Sequence, residues 1–229
     1  MPMPGSPIAI AAACCLLLGG CGASAGPDQT ATADPLSETQ IKKALLTIDD
    51  LPSGFSKDPD LALDEEGSTD DVTQGTKQCR DLLSALNDEN RGKPFGEGQV
   101  GFKEGDAGPF IEEQVTSFEG STIKKSMATL REAFASCKEF QTKDSEGVVT
   151  EFTVAPMTFP DLGDDSIAVQ LGAIESSVDF EIAMSLVVVR VDQNVVLLGN
   201  YGLGSGLGGG KFESIARTAV DKVSQASQS

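Results

Sequence analysis

Apolar residues recur along this chain with two periods, one helical and one strand-like. Leu36, Ile41, Ala44 and Leu45 share a helical face, and Ser37 with Gln40 three residues on has capping-box form, so a helix is expected from Ser37. It ends before Leu51-Pro52-Ser53-Gly54, a turn. Cys79, Leu82, Leu83 and Leu86 fall at i, i+3, i+4 and i+7 and predict a second helix over Thr76–Asn90, stopped by Gly92 and Pro94. Ile123, Met127, Leu130, Phe134 and Cys137 form a single seam and predict a third over Ser121–Phe140. Phe212, Ile215, Ala219 and Val223 predict a last helix over Lys211–Ala226.

The strand-like stretches are Gln99–Lys103, Phe110–Phe118, Val148–Val154, Ser166–Leu171, Phe180–Val191 and Val195–Tyr201. Asp192-Gln193-Asn194 reads as a hairpin turn between the last two. Val187-Val188-Val189 and Val195-Val196-Leu197-Leu198 are continuous apolar runs, which places them at the centre of a sheet. Asp58–Gly75 is acidic and poor in apolar residues, a solvated loop with room for one edge strand at Leu61-Ala62-Leu63. Hairpin-connected strands set between helices give an α+β fold. It has a mainly antiparallel sheet, helices packed on one face and a single domain over residues 36–229.

Ahead of that domain, Ala9–Cys21 reads AIAAACCLLLGGC. The apolar run is about 12 residues, short of the roughly 20 that span a bilayer, and it closes on small residues as a secretory h-region does. Leu18-Gly19-Gly20-Cys21 resembles a bacterial lipobox. That resemblance implies a signal peptide over residues 1–20, lipidation of Cys21, and attachment to the extracytoplasmic face of the cell membrane. Ala23-Ser24-Ala25 offers a later cut of ordinary secretory type, and residues 1–20 contain neither Lys nor Arg. Residues 21–35 lack any large apolar side chain and read as a flexible tether spanning roughly 20 Å.

Charge and composition narrow the function. Against 17 Lys+Arg stand 35 Asp+Glu, a net charge of −18, which repels nucleic acid and anionic membrane surfaces as partners. The chain has no His, which excludes Ser-His-Asp and Cys-His catalysis and every His-ligated metal site. Of its five Cys, Cys14 and Cys15 leave with the signal and Cys21 takes the lipid. Cys79 and Cys137 remain, each on the inner stripe of a predicted helix, in an oxidising compartment, and are expected to form a disulfide.

The motifs that suggest catalysis lack their contexts. Gly204-x-Gly206-x-x-Gly209 has the spacing of a dinucleotide fingerprint, but the helix after it is the last element, so no βαβ unit closes. A glycine loop beside a helix N-terminus can still hold a small anion or flank a cleft. Asp161, Asp164 and Asp165 cluster three carboxylates, yet the chain has no Trp and one Tyr to line a sugar cleft, and a turn is the plainer reading. The acidic residues from Asp58 to Asp71 do not match a calcium-loop spacing. No catalytic residue, metal site or cofactor is therefore assigned.

Leu45-Leu46-Thr47-Ile48-Asp49-Asp50-Leu51-Pro52-Ser53-Gly54-Phe55 is similar to the opening of a group of actinobacterial lipoproteins and kinase-linked sensor domains. Phe118, Phe134-Ala135-Ser136-Cys137 and the hairpin Val187–Val196 resemble the extracellular sensor domain of the mycobacterial PknH-type kinases. This chain departs from that pattern at Phe134, where the family has Trp, and has no cysteines for the family's second disulfide. The resemblance implies an α+β unit around a cleft for an unidentified envelope ligand. The expected function is a non-catalytic, ligand-binding or sensor-like module, with a carrier or chaperone for apolar envelope molecules as the alternative. The ligand-binding residues are not legible in the sequence.

Overall fold

The computed structural model describes residues 34–61, 71–86, 93–120, 122–145, 147–175, 181–203 and 206–228. Among them are four α-helices: α1 (Glu38–Ala44), α2 (Lys77–Leu86), α3 (Thr122–Ser136) and α4 (Gly209–Ser227). The strands are β1 (Ser56–Lys57), β2 (Asp71–Gln74), β3 (Gly96–Lys103), β4 (Phe110–Ser117), β5 (Glu139–Lys143), β6 (Val149–Pro156), β7 (Asp165–Glu175), β8 (Glu181–Val191) and β9 (Asn194–Leu203). They form one sheet in the order β1-β3-β4-β9-β8-β7-β6-β5-β2, with every pair antiparallel. The class is α+β, as the alternation of hairpins and helices predicted.

The apolar runs take the central places. β8 stands fifth of nine, beside β9, and Val187, Val189, Val196 and Leu198 are wholly buried. Each contributes about 1.5–3 kcal/mol by leaving water. The turn between these strands falls at Asp192, whose φ of 54° is left-handed, and Asp164 caps it by accepting the Asp192 N–H at 2.7 Å.

One expectation is corrected. The helices cover both faces of the sheet rather than one. Val187, Val189 and Val191 of β8 pack with Ile41 of α1 and with Phe212, Ile215 and Val223 of α4. Leu186 and Val188, pointing the other way, pack with Met127, Leu130 and Phe134 of α3 and with Leu82 of α2. The cause lies in β8 itself: a strand without polar alternation needs cover on both sides.

The capping box at Ser37 forms as expected: the Ser37 hydroxyl accepts from the Gln40 N–H, and the Gln40 side chain accepts from the Ser37 N–H at 3.1 Å. α1 then lies close on β3. A Cβ at Gly96 would sit 2.5 Å from the Leu36 carbonyl oxygen, which only glycine permits. The third helix is shorter than its seam predicted. It ends at Ser136, and Phe140 turns inward from strand β5 to stack on Phe152, ring centroids 4.8 Å apart. Leu61 closes a 3-10 turn, Pro59–Leu61, rather than opening a strand, and Ala62 and Leu63 lie outside the described residues. Positions 87–90 of the expected second helix also lie outside them. Cys79 and Cys137 are bonded and fully buried, which fastens α2 to the end of α3.

Candidate functional site

On the α4 face the sheet changes character along β8. Val187 and the facing Leu198 are apolar and buried, but the next inward positions are Ser185 and Asn200, and then Ala183 and Gly202. Gln170 of β7 pairs with Ser185, which pairs with Asn200 of β9, so three polar side chains lie in one row across three strands. Small and polar residues here leave α4 without a close floor, and a cavity of about 520 Å³ opens between sheet and helix. That is within the usual range for small-molecule sites.

Gln170, Ala183, Ser185 and Asn200 make the floor. One wall is the stretch after β6, Met157–Phe159, fastened by the Met157 N–H to the Ala168 carbonyl at 3.1 Å. The opposite wall is Gly206–Gly209 with Phe212 and Glu213 of α4. Phe159 leans on Phe212 with ring centroids 5.9 Å apart. Asn200 holds the glycine wall in place: its Oδ1 accepts the Leu207 N–H at 2.8 Å and its Nδ2 donates to the Leu207 carbonyl at 3.1 Å. Gly206 is required for this clamp, since a Cβ there would lie 2.5 Å from Asn200 Oδ1. Gly208, Gly209 and Gly210 face open space. The first turn of α4 closes on this wall, with the Lys211 and Phe212 N–H groups both donating to the Gly208 carbonyl, at 3.0 and 3.2 Å.

The lining mixes polar and apolar groups. It offers uncharged hydrogen-bonding groups from Gln170, Ser185 and Thr158, apolar surface from Met157, Phe159, Leu207 and Phe212, and one carboxylate. That carboxylate, Glu213, accepts from the Arg217 guanidinium at 2.8 and 3.0 Å.

The carboxylate groups singled out in the sequence lie elsewhere. Asp164 pairs with Arg190 at 2.9 Å, Asp165 pairs with Arg131, and Asp161 is exposed, so these three do not converge on one point. Asp58 pairs with Lys103 at 2.7 Å, which holds its carboxyl below the usual range. Tyr201 points to the sheet face opposite the cavity, where its hydroxyl donates to Glu112. Burial first, and the Glu112 carboxylate second, push its phenol above the ordinary value. Gly204 and Cys21 lie outside the described residues. The glycine run therefore marked one wall of the cavity correctly. The polar row on the floor was missed, because its members are far apart in the chain and meet only through strand register.

No family model matches the chain, and no curated protein matches it. Among solved structures it is similar to the extracellular domain of PknH from Mycobacterium tuberculosis, with a TM-score of 0.63 and 16% identity, over 84% of this chain and 99% of that chain. The two share a fold, the one that the Leu45–Phe55 and Val187–Val196 motifs pointed to.

Proposed function

We propose that the protein is a non-catalytic, sensor-like ligand-binding module held at the extracytoplasmic face of the cell membrane by lipid on Cys21. The observation that carries the binding role is the cavity at the N-terminus of α4, with its polar floor, its apolar walls and its clamped glycine loop. A compact ligand with one apolar face and several uncharged hydrogen-bonding groups fits that lining. The lipobox, the tether over residues 21–35 and the Cys79–Cys137 disulfide support the location, since disulfides persist outside the cytoplasm. Among the described residues no helix is long and apolar enough to cross a membrane. The net charge of −18 disfavours nucleic acid as a partner.

Phe159, Met157, Leu207 and Phe212 also support the second reading, a carrier for apolar envelope molecules. A thermal-shift screen of the full-length protein with glycans, peptidoglycan fragments and envelope lipids separates the two. A shift with polar fragments is expected for the sensor, and a large shift with acyl chains makes it a carrier. A hydrolase and transferase substrate screen runs beside it, and turnover that one substitution abolishes without unfolding overturns the binding role. Cys21→Ala is expected to end uptake of labelled palmitate in the native host, and continued labelling overturns the anchor.

A further inference from the structure

Among the described residues, the most deeply buried charged side chain lies away from the cavity. Glu113, in the middle of β4, is 1% exposed and faces the layer of α1 and α4. Its neighbours across the sheet are Val100 of β3 and Leu198 of β9, both apolar. Its Oε2 accepts the Leu46 N–H at 2.6 Å. Its Oε1 has no hydrogen-bond partner among the described residues. Leu46 lies between α1 and the 3-10 turn Ile48–Asp50. That turn is also fastened to α4, where Lys222 Nζ donates to Asp50 Oδ2 at 2.6 Å, while the Thr47 N–H and hydroxyl donate to the same oxygen at 2.7 and 2.8 Å. The segment joining α1 to the turn is thus held from two sides, by a half-buried ion pair and by a buried carboxylate with one oxygen left over.

We infer that Glu113 is a proton-operated latch: protonated, it seats the segment from α1 to the 3-10 turn on the sheet, and ionised, it loosens that segment. The moving part is α1 with the 3-10 turn that follows it, the first elements among the described residues.

The balance of charges around the carboxylate supports this. Burial pushes Glu113 up to about 7; the Leu46 N–H and the Lys222 ammonium pull it down by less, and Asp50 pushes it up further. Lys222 and Asp50 are the charged groups that face it, Lys222 from α4 and Asp50 from the turn, while β3 and β9 present Val100 and Leu198. Lys222 is already committed to Asp50, so it cannot fully neutralise a second carboxylate. When the segment lifts, Glu113 meets water and returns toward its ordinary value of 4.5. The closed state therefore binds more protons than the open one. Closure is firmest in acid, weakens as pH rises from about 4.5 to about 7, and changes little above that. Between pH 5.5 and 8 the opening equilibrium rises ~25-fold.

Hydrogen exchange by mass spectrometry on the full-length protein tests the latch, with rates corrected for the intrinsic pH dependence of exchange. Peptides covering residues 41–51 are expected to open ~25-fold more at pH 8 than at pH 5.5, while α3 changes by less than ~2-fold. Glu113→Gln keeps an acceptor for the Leu46 N–H and removes the titration, so its ratio is expected to fall below ~2-fold. A flat wild type, or a Gln variant that keeps the full rise, overturns the proposal. Should the variant not fold, a carbon-13 NMR titration of the Glu113 carboxyl in the wild type decides alone. A midpoint near 7 supports the latch, and a midpoint near 4.5 overturns it.

Discussion

Replacing both Cys79 and Cys137 with Ala removes the covalent link between α2 and the end of α3. The bonded residues are 58 apart in sequence. In the chain-entropy account, freeing a loop of that length in the unfolded state costs the folded state about 4 kcal/mol. Both side chains are also wholly buried, beside Leu82, Phe134 and Phe140, so the missing sulfurs leave a void that adds about 1 kcal/mol. The total approaches the whole stability of many domains, roughly 5–15 kcal/mol. Urea unfolding followed by far-ultraviolet circular dichroism measures it, since the chain has no Trp to report. With a slope of about 2–3 kcal/mol per molar, the midpoint is expected to fall by about 2 M. A loss under about 1 kcal/mol refutes the reasoning, because the loop would then cost little to leave open. Two alkylatable thiols in the oxidised native protein refute its premise.

Leu198→Ala, in the centre of the sheet and fully buried, is expected to cost about 3–4 kcal/mol in the same unfolding assay. Asn200→Ala releases both bonds to Leu207 and is expected to cost about 2 kcal/mol while speeding amide exchange at Gly206 and Leu207. The Lys103 ammonium holds Asp58 below its ordinary 3.8, so the ion pair stabilises the fold above that pH and the benefit is lost as pH falls through the lower folded value. Amide exchange across residues 56–61 between pH 2 and 5 is expected to show that loss in the wild type and to lack it in Asp58→Asn.

What the sequence carries locally, it carries well. Ser37 and Gln40 announce the start of α1 because the capping box is a contact between residues three apart. The valine runs of β8 and β9 announce the sheet centre, since nothing in them tolerates water. The expectation of helices on one face failed at these same runs, because a strand apolar on both sides needs cover on both. β5 is hidden because Glu139–Lys143 is five residues long and follows Cys137 directly, so the helical seam overruns it. β1 and β2 are short edge pairs held mainly by backbone bonds, which leave almost no side-chain pattern. The cavity is least legible of all. Its glycine wall is contiguous in sequence and visible, whereas Gln170, Ser185 and Asn200 are brought together by the register of three strands. Glu113 was similarly concealed: β4 carries two adjacent acids, Glu112 and Glu113, both buried, and only strand register sets Glu113 between Val100 and Leu198.

The account stands on the cavity being a ligand site, and native mass spectrometry of the protein purified from its own envelope tests that most directly. Ser185→Phe projects a ring into the cavity from its floor without touching the core beneath α3, so the fold is expected to survive. The account predicts that the wild type carries a small bound molecule and that Ser185→Phe, with an unchanged circular dichroism spectrum, has lost it. A bare wild-type mass after envelope extraction, or equal retention by the folded variant, would contradict it.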